Sequence, residues 1–190
     1  ASRVSLPREP TVDEFAIIRR VFAPLAEGIA GAFALSDDAA VIKPPRGASL
    51  VVTTDGLVEG VHFLKGEKPE ALARRLLRVN LSDLAAMGAR PYAYPLNLTL
   101  PADTPMSWFK GFAVGLAAEQ REYGLSLIGG DTDAAPAMAM SATMIGLAAR
   151  GRVLRRNGAR PGDDLYVSGT IGDAGLGLSM LKQGRGRLEQ

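Results

Sequence analysis

Apolar and polar positions divide this chain into segments of two different periods. From residue 69, PEALARRLLRVNLSDLAAMGARP spaces its leucines as a helix does, with Pro69 at the start, Gly88 at the stop and Pro91 beyond. SWFKGFAVGLAAEQREYG reads the same way and stops at Gly124. Residues 11 to 23, TVDEFAIIRRVFA, predict an opening helix with Thr11 as N-cap, Glu14 completing a capping box, and Pro24 ending it. Period two marks the strands: Tyr94 to Leu100 alternates between prolines, and residues 137 to 149 alternate large and small. Ser49 to Thr53 and LSLIGG read as short apolar strands, and DDAAVIKPP as another, closed by a proline turn.

The order strand, strand, helix, strand, helix, strand, strand predicts an α+β fold, with helices packed on one face of a mixed or antiparallel sheet. After residue 149 the texture changes. RPGDDLYVSG reads as a turn and a strand, and TIGDAGLGLSMLKQG as a glycine-rich loop entering a helix. The expected organisation is a domain over 1–149, followed over 150–190 by the beginning of a second domain whose remainder is absent.

Composition narrows the classes. A hydrophobic fraction of 47% with 22% charged residues is that of an ordinary globular protein. Twenty-two basic against twenty acidic residues gives a net charge of +2, and the arginines are scattered apart from Arg150, Arg152, Arg155, Arg156 and Arg160. Without a basic tail or aromatic-basic interleaving, nucleic acid is not an expected partner. No cysteine is present, which removes disulfides, thiolate metal sites and cysteine nucleophiles. The N-terminus has no apolar signal region, and AMAMSATMIGLAA is too short to span a bilayer, so a cytoplasmic protein without a membrane partner is expected.

The candidate chemistry lies in carboxylates. Asp37, Asp38, Asp55 and Asp131 each admit a plain reading as turn residues; Asp55 precedes Gly56, a hairpin signal, and Asp131 follows Gly129 and Gly130. Asp83 does not. At about 100° per residue it falls in one arc with Leu72, Leu76, Val79 and Met87, with Asn80 at the edge of that arc and Arg74, Arg75, Arg78 and Ser82 opposite. A carboxylate there should be buried, and a buried charge needs a cation or a hydrogen-bond network. Oxygen-only ligands favour Mg²⁺ over zinc or iron, and carboxylate-held Mg²⁺ points to a polyphosphate as the remaining ligand. There is no Walker A motif, so any nucleotide is held without a P-loop.

DDAAVI, TTDGLVEGVHF, VNLSDLAAMGARP, LSLIGGDT and GRVLRRNGARPGDDLYVSGTIGDAGLGL stand in the order and spacing of the thiamine-monophosphate kinase family, and the chain resembles it from about residue 12 onward. The resemblance implies phosphorylation of thiamine monophosphate by ATP, by direct in-line transfer with several Mg²⁺ ions and no phosphoenzyme. It implies Asp38, Asp55, Asp83 and Asp131 as metal ligands, assisted by Thr53 and Thr54. Gly130 and Asp131 would lie against the ATP phosphates, with Arg156 and Tyr123 touching the nucleotide, and His62 would meet the phosphate of thiamine monophosphate. It implies a homodimer in which two N-terminal sheets close into a barrel. Two departures stand out: Ser36 replaces the family's usual glycine before the Asp-Asp pair, and the family's C-terminal domain, with a further acidic motif and much of the thiamine pocket, is missing.

Other readings stay open beside this one. His62 alone reads as a hydrogen-bonded structural histidine, GTIGDAGLG as a strand-to-helix turn, and Phe109, Phe112 and Leu116 as core. Selenophosphate synthetase, of the same superfamily, uses a reactive cysteine that this chain lacks, and aminoimidazole ribonucleotide synthetase fits the central motifs less well. A non-catalytic nucleotide-binding or dimerisation module is the alternative from another class.

Overall fold

The computed structural model describes residues 14–167 and 169–184. The Thr11 cap predicted for the opening helix lies outside them. From Glu14 the chain makes a single α turn, α1 (Glu14–Ile17), then a π turn over Ile18–Phe22 and 3-10 turns over Ala23–Ala26 and Ala30–Leu35. Pro24 explains the change, because it has no N–H to continue an α ladder.

Strand β1 (Ala48–Val58) leads through α2 (Pro69–Ala86) to β2 (Arg90–Leu100). Helix α3 (Met106–Tyr123) leads on to β3 (Ser126–Ala134) and β4 (Ala139–Ala149). The strands form one mixed four-stranded sheet in the order β1-β4-β2-β3, with β4 antiparallel to both neighbours and β2 parallel to β3. β1, β2 and β3 therefore run the same way, so each step between them requires a crossover, which α2 and α3 supply. Both steps move in the same direction across the sheet, and right-handed crossovers then place both helices on one face. The α+β architecture expected from the sequence is the one observed.

Three local expectations are corrected. DDAAVI forms no strand; Val41 donates its one backbone bond to Gly31 at 2.8 Å, and Pro44 and Pro45 remove the donors a ladder would need. Asp55-Gly56 is not a hairpin turn. β1 runs through it to Val58, pairing Asp55 with Ala142 and Gly56 with Ser141. Likewise Asp131 is no turn residue, since β3 continues through it opposite Asn97. In both places a long neighbouring strand offers ladder partners, and these override the local turn preference.

The core lies between the sheet and the two helices. Leu76, Leu77 and Leu84 of α2, Phe112 and Leu116 of α3, and Met144 of β4 are wholly buried. The helices cross closely because Gly115 carries no side chain: a Cβ there would stand 2.5 Å from the Glu70 carbonyl oxygen. The buried arc of α2 is centred on Asn80, with Leu77, Leu81 and Leu84 on its far side. Asp83 sits about 60° from that centre and is exposed, contrary to the burial expected of it. The cause is that α2 packs against α3 as well as the sheet, which rotates its buried side away from Asp83 and puts Asn80 in the middle.

On the opposite face of the sheet, Ala26, Ala32, Ala93 and Ile128 form a small second cluster, with Ile42 packed against it. Toward β1 that face is open: Leu50 and Val52 are 43% and 60% exposed.

The packing divides the chain into two units, Ala1–Arg155 and Arg156–Gln190. In the second, a 3-10 turn over Arg156–Gly158 and α4 (Asp173–Lys182) are the regular elements among the described residues, and none of their side chains is buried. The strand expected at RPGDDLYVSG is not formed over its described residues, up to Val167. Among the described residues of that unit, no other strand is present for the segment to pair with.

Candidate functional site

A cavity of about 570 Å³ opens between the N-terminal turns and the middle of β3, within the size range of small-ligand sites. Phe22, Leu96, Leu98 and Leu127 form its apolar wall. Its polar rim is Ser36, Asp37, Asp38, Gly130, Asp131 and Thr132. Gly130 is required there: at φ +150° its missing Cβ would meet the Leu96 carbonyl oxygen at 1.8 Å. Beside it, Oδ1 of Asp131 accepts the Thr132 N–H at 2.8 Å.

Ser36 adopts an ordinary φ of −102°, so the missing glycine leaves no strain at that residue. The positive φ values fall just upstream, at Phe33, Ala34 and Leu35. The Ser36 hydroxyl closes the turn by donating to the Phe33 carbonyl at 2.6 Å.

A second polar group lies at the other edge of the sheet. The Thr53 hydroxyl donates to Oδ2 of Asp83 at 2.8 Å, and Oδ1 of Asp55 accepts the Gly56 N–H at 2.8 Å. Wholly buried Asn80 binds α2 to β1, donating to the Leu76 carbonyl at 2.9 Å and to the Asp55 carbonyl at 3.4 Å. Thr54 points to the opposite face, as strand alternation dictates, and shares a 2.8 Å hydrogen bond with Thr143.

The two groups are separated by the width of the sheet. Gly56, Ser141, Asn97 and Asp131 are paired in one row across β1, β4, β2 and β3. Three inter-strand steps put Asp131 roughly 14 Å from the position beside Asp55. The chain thus brings Asp38 and Asp131 to one cavity and Thr53 to Asp83, and does not bring the two sets together. Among the described residues, no group of three or more His, Cys, Asp or Glu is placed to hold a metal ion.

The remaining candidates are placed separately. His62 lies in the loop after β1, its Nδ1 accepting the Val58 N–H at 3.1 Å. Tyr123 ends α3 outside the cavity lining, and its hydrogen bond with Glu122 pushes its phenol above the usual tyrosine range. Arg156 belongs to the second unit.

Asn80, expected at the edge of the apolar arc of α2, is buried at its centre, and Asp37, not among the expected site residues, lines the cavity beside Asp38. Leucines at 77, 81 and 84 were the signal for Asn80, and adjacency to Asp38 the signal for Asp37.

Residues 36–148 match the family described as AIR synthase related protein, N-terminal domain. The chain is 47% identical over 166 residues to thiamine-monophosphate kinase of Caulobacter vibrioides, covering 87% of this chain and 47% of that protein. The crystal structure of thiamine-monophosphate kinase from Stenotrophomonas maltophilia K279a superposes with a TM-score of 0.75 at 43% identity, over 82% of this chain and 48% of that one. A structure described as AaThiL complexed with AMPPCP and TMP superposes with a TM-score of 0.71 at 32% identity, over 99% of this chain and 58% of that one. The chain spans about half the length of the curated relatives it matches.

Proposed function

Since the chain belongs to the AIR synthase related N-terminal domain family, we propose that it is the nucleotide-binding and dimerising part of a kinase that transfers the γ-phosphoryl group of ATP to thiamine monophosphate. The products are thiamine diphosphate and ADP. One observation carries the reading: Gly130 and Asp131, in the middle of β3, line the same cavity as Asp38. There a bare backbone can approach phosphates and carboxylates can meet the cations that accompany them. The relatives named above support the substrate pair.

Asp38, Asp55, Asp83 and Asp131, with Thr53, are the residues that would hold Mg²⁺; their all-oxygen chemistry fits that cation, while Thr54, turned to the opposite face and bonded to Thr143, is left out of the set. Bound Mg²⁺ supplies charge neutralisation and alignment of the attacking and leaving oxygens. The chain's own part is positional. Gly130 keeps the cavity wall flat, Arg156 and Tyr123 are assigned to the nucleotide, and His62 to the acceptor phosphate. No covalent intermediate is needed, because in-line transfer asks mainly for orientation and electrostatics.

A single copy leaves the two carboxylate groups on opposite edges of its sheet. The open face with Leu50 and Val52 suits burial against a second copy, closing two four-stranded sheets into a barrel. Of the two-fold closures, the one joining unlike edges sets β1 of one copy beside β3 of its partner. Only that closure unites Asp55 and Asp83 with the partner copy's counterparts of Asp38 and Asp131. We assign residues 1–149 to this domain and 150–190 to the beginning of the next.

The deciding experiment is an ATP-dependent assay of the intact gene product on thiamine monophosphate, scored as thiamine diphosphate. Preference for formylglycinamidine ribonucleotide or selenide would overturn the substrate assignment. Binding of Mg–ATP without turnover of any of the three would favour a nucleotide-binding module.

A further inference from the structure

The loop from Glu59 to Lys68 carries His62, and its own chemistry shows how that ring is aimed. Phe63, only 5% exposed, plugs the loop into the core. The backbone N–H groups of Val61 and His62 both turn back to the Val58 carbonyl, at 3.1 and 2.9 Å. The Val58 N–H then donates to Nδ1 of the ring at 3.1 Å. A nitrogen that accepts cannot carry the proton, so the neutral ring holds its hydrogen on Nε2 and presents a donor outward.

Arg75 of α2 fastens this arrangement from below. Its Nη1 donates to the His62 carbonyl at 3.0 Å and to Oε1 of Glu67 at 3.4 Å, while Nη2 donates to Oε2 of Glu67 at 2.7 Å. Glu67 in turn accepts the Leu64 N–H at 2.7 Å. One guanidinium thus grips both limbs of the loop, through a carbonyl on one side and a carboxylate on the other. The pair is partly shielded, with side-chain exposures of 34% and 15%. Neither residue is among those that line the cavity.

We infer that Arg75, through its bonds to the His62 carbonyl and Glu67, is a positioning residue that holds His62 as an Nε2–H donor toward the phosphate monoester of the acceptor. This rests on the assignment of His62 to that phosphate. Lysine cannot replace the function, since a single ammonium lacks the fork that spans two partners at fixed angles.

The test uses the fact that His62 is the only histidine in the chain. Long-range ¹H–¹⁵N correlation of the labelled chain should show one imidazole, protonated at Nε2 with Nδ1 as acceptor. In Arg75→Ala the ring should shift to an average of both tautomers. In the intact gene product KM for thiamine monophosphate should rise about tenfold, the loss of one charge-assisted hydrogen bond, with KM for ATP within about twofold. Arg75→Lys should recover the melting temperature before it recovers the tautomer. An unchanged ring pattern with unchanged acceptor KM in Arg75→Ala overturns the inference, as does an equal loss for both substrates. His62→Ala separates the two claims. If it leaves acceptor KM unchanged, the assignment of His62 is wrong; if it raises KM while Arg75→Ala alters nothing, only the role of Arg75 fails.

Discussion

The hydroxyl of Thr53 donates a 2.8 Å hydrogen bond to the carboxylate of Asp83, joining the middle of β1 to the last turns of α2. Asp83 is exposed, so its charge is already solvated and needs no partner for folding. Asp83→Asn keeps the shape and one acceptor oxygen. Its stability should stay within about 0.5 kcal/mol of the parent in a urea titration. Mg²⁺-dependent nucleotide binding should be lost in a calorimetric titration, and undiminished affinity would remove Asp83 from the metal set.

Arg78 and Glu119 form the stronger cross-helix tie, with hydrogen bonds of 2.8 and 3.0 Å. The Glu119 carboxylate is 1% exposed while the Arg78 side chain is 52% exposed. The hydrogen bond to Glu119 holds the guanidinium further up from its ordinary value. Removal is therefore asymmetric. Arg78→Met leaves a buried carboxylate with only Arg74, at 3.9 Å, and should cost about 2–3 kcal/mol. Glu119→Gln leaves arginines that can turn to water and should cost about 1 kcal/mol. Chemical denaturation of both variants checks the order.

Burial drives the Tyr94 phenol well above its ordinary value of 10.0, although the Gln120 amide, donating to its oxygen at 3.3 Å, works the other way. The folded state thus keeps a proton that the unfolded state releases once pH passes 10.0. This contribution to stability is complete below that pH and declines as pH rises further. Melting temperatures from pH 9 to 12 should fall less steeply in Tyr94→Phe than in the parent.

Gly130→Ala forces a methyl group against the Leu96 carbonyl, whereas a Cβ at Gly129 meets nothing within 4 Å. Both pay for a positive φ, but only Gly130→Ala must also part β3 from β2. It should destabilise the protein by about 2 kcal/mol or more beyond Gly129→Ala, measured by thermal melting.

Helices α2 and α3 were legible because their apolar spacing is long and their stops are glycines, as at Gly124, the left-handed C-cap of α3, whereas the opening helix expected over 11–23 holds only one described α turn. Short segments were less so. Asp55-Gly56 carries a turn preference that pairing with Ala142 and Ser141 overrides, and nothing local announces that partner. Asp83 shares an arc with the apolar residues Leu72, Leu76, Val79 and Met87, but Leu77, Leu81 and Leu84 shift the buried face to centre on Asn80. Locally, the site residues were readable as types; their division between two edges was not, because it depends on strand order, which places β4 between β1 and β2.

The row Gly56, Ser141, Asn97, Asp131 has a consequence at the level of alleles. Where each site is shared between unlike edges of two copies, a chain crippled at Asp83 and a chain crippled at Asp131 are not equivalent defects. Each alone should yield only inactive homodimers. Co-expressed, they should form a mixed dimer in which one site collects both lesions and the other collects none. Strains carrying either allele should need the missing product supplied, whereas strains carrying both should grow without it.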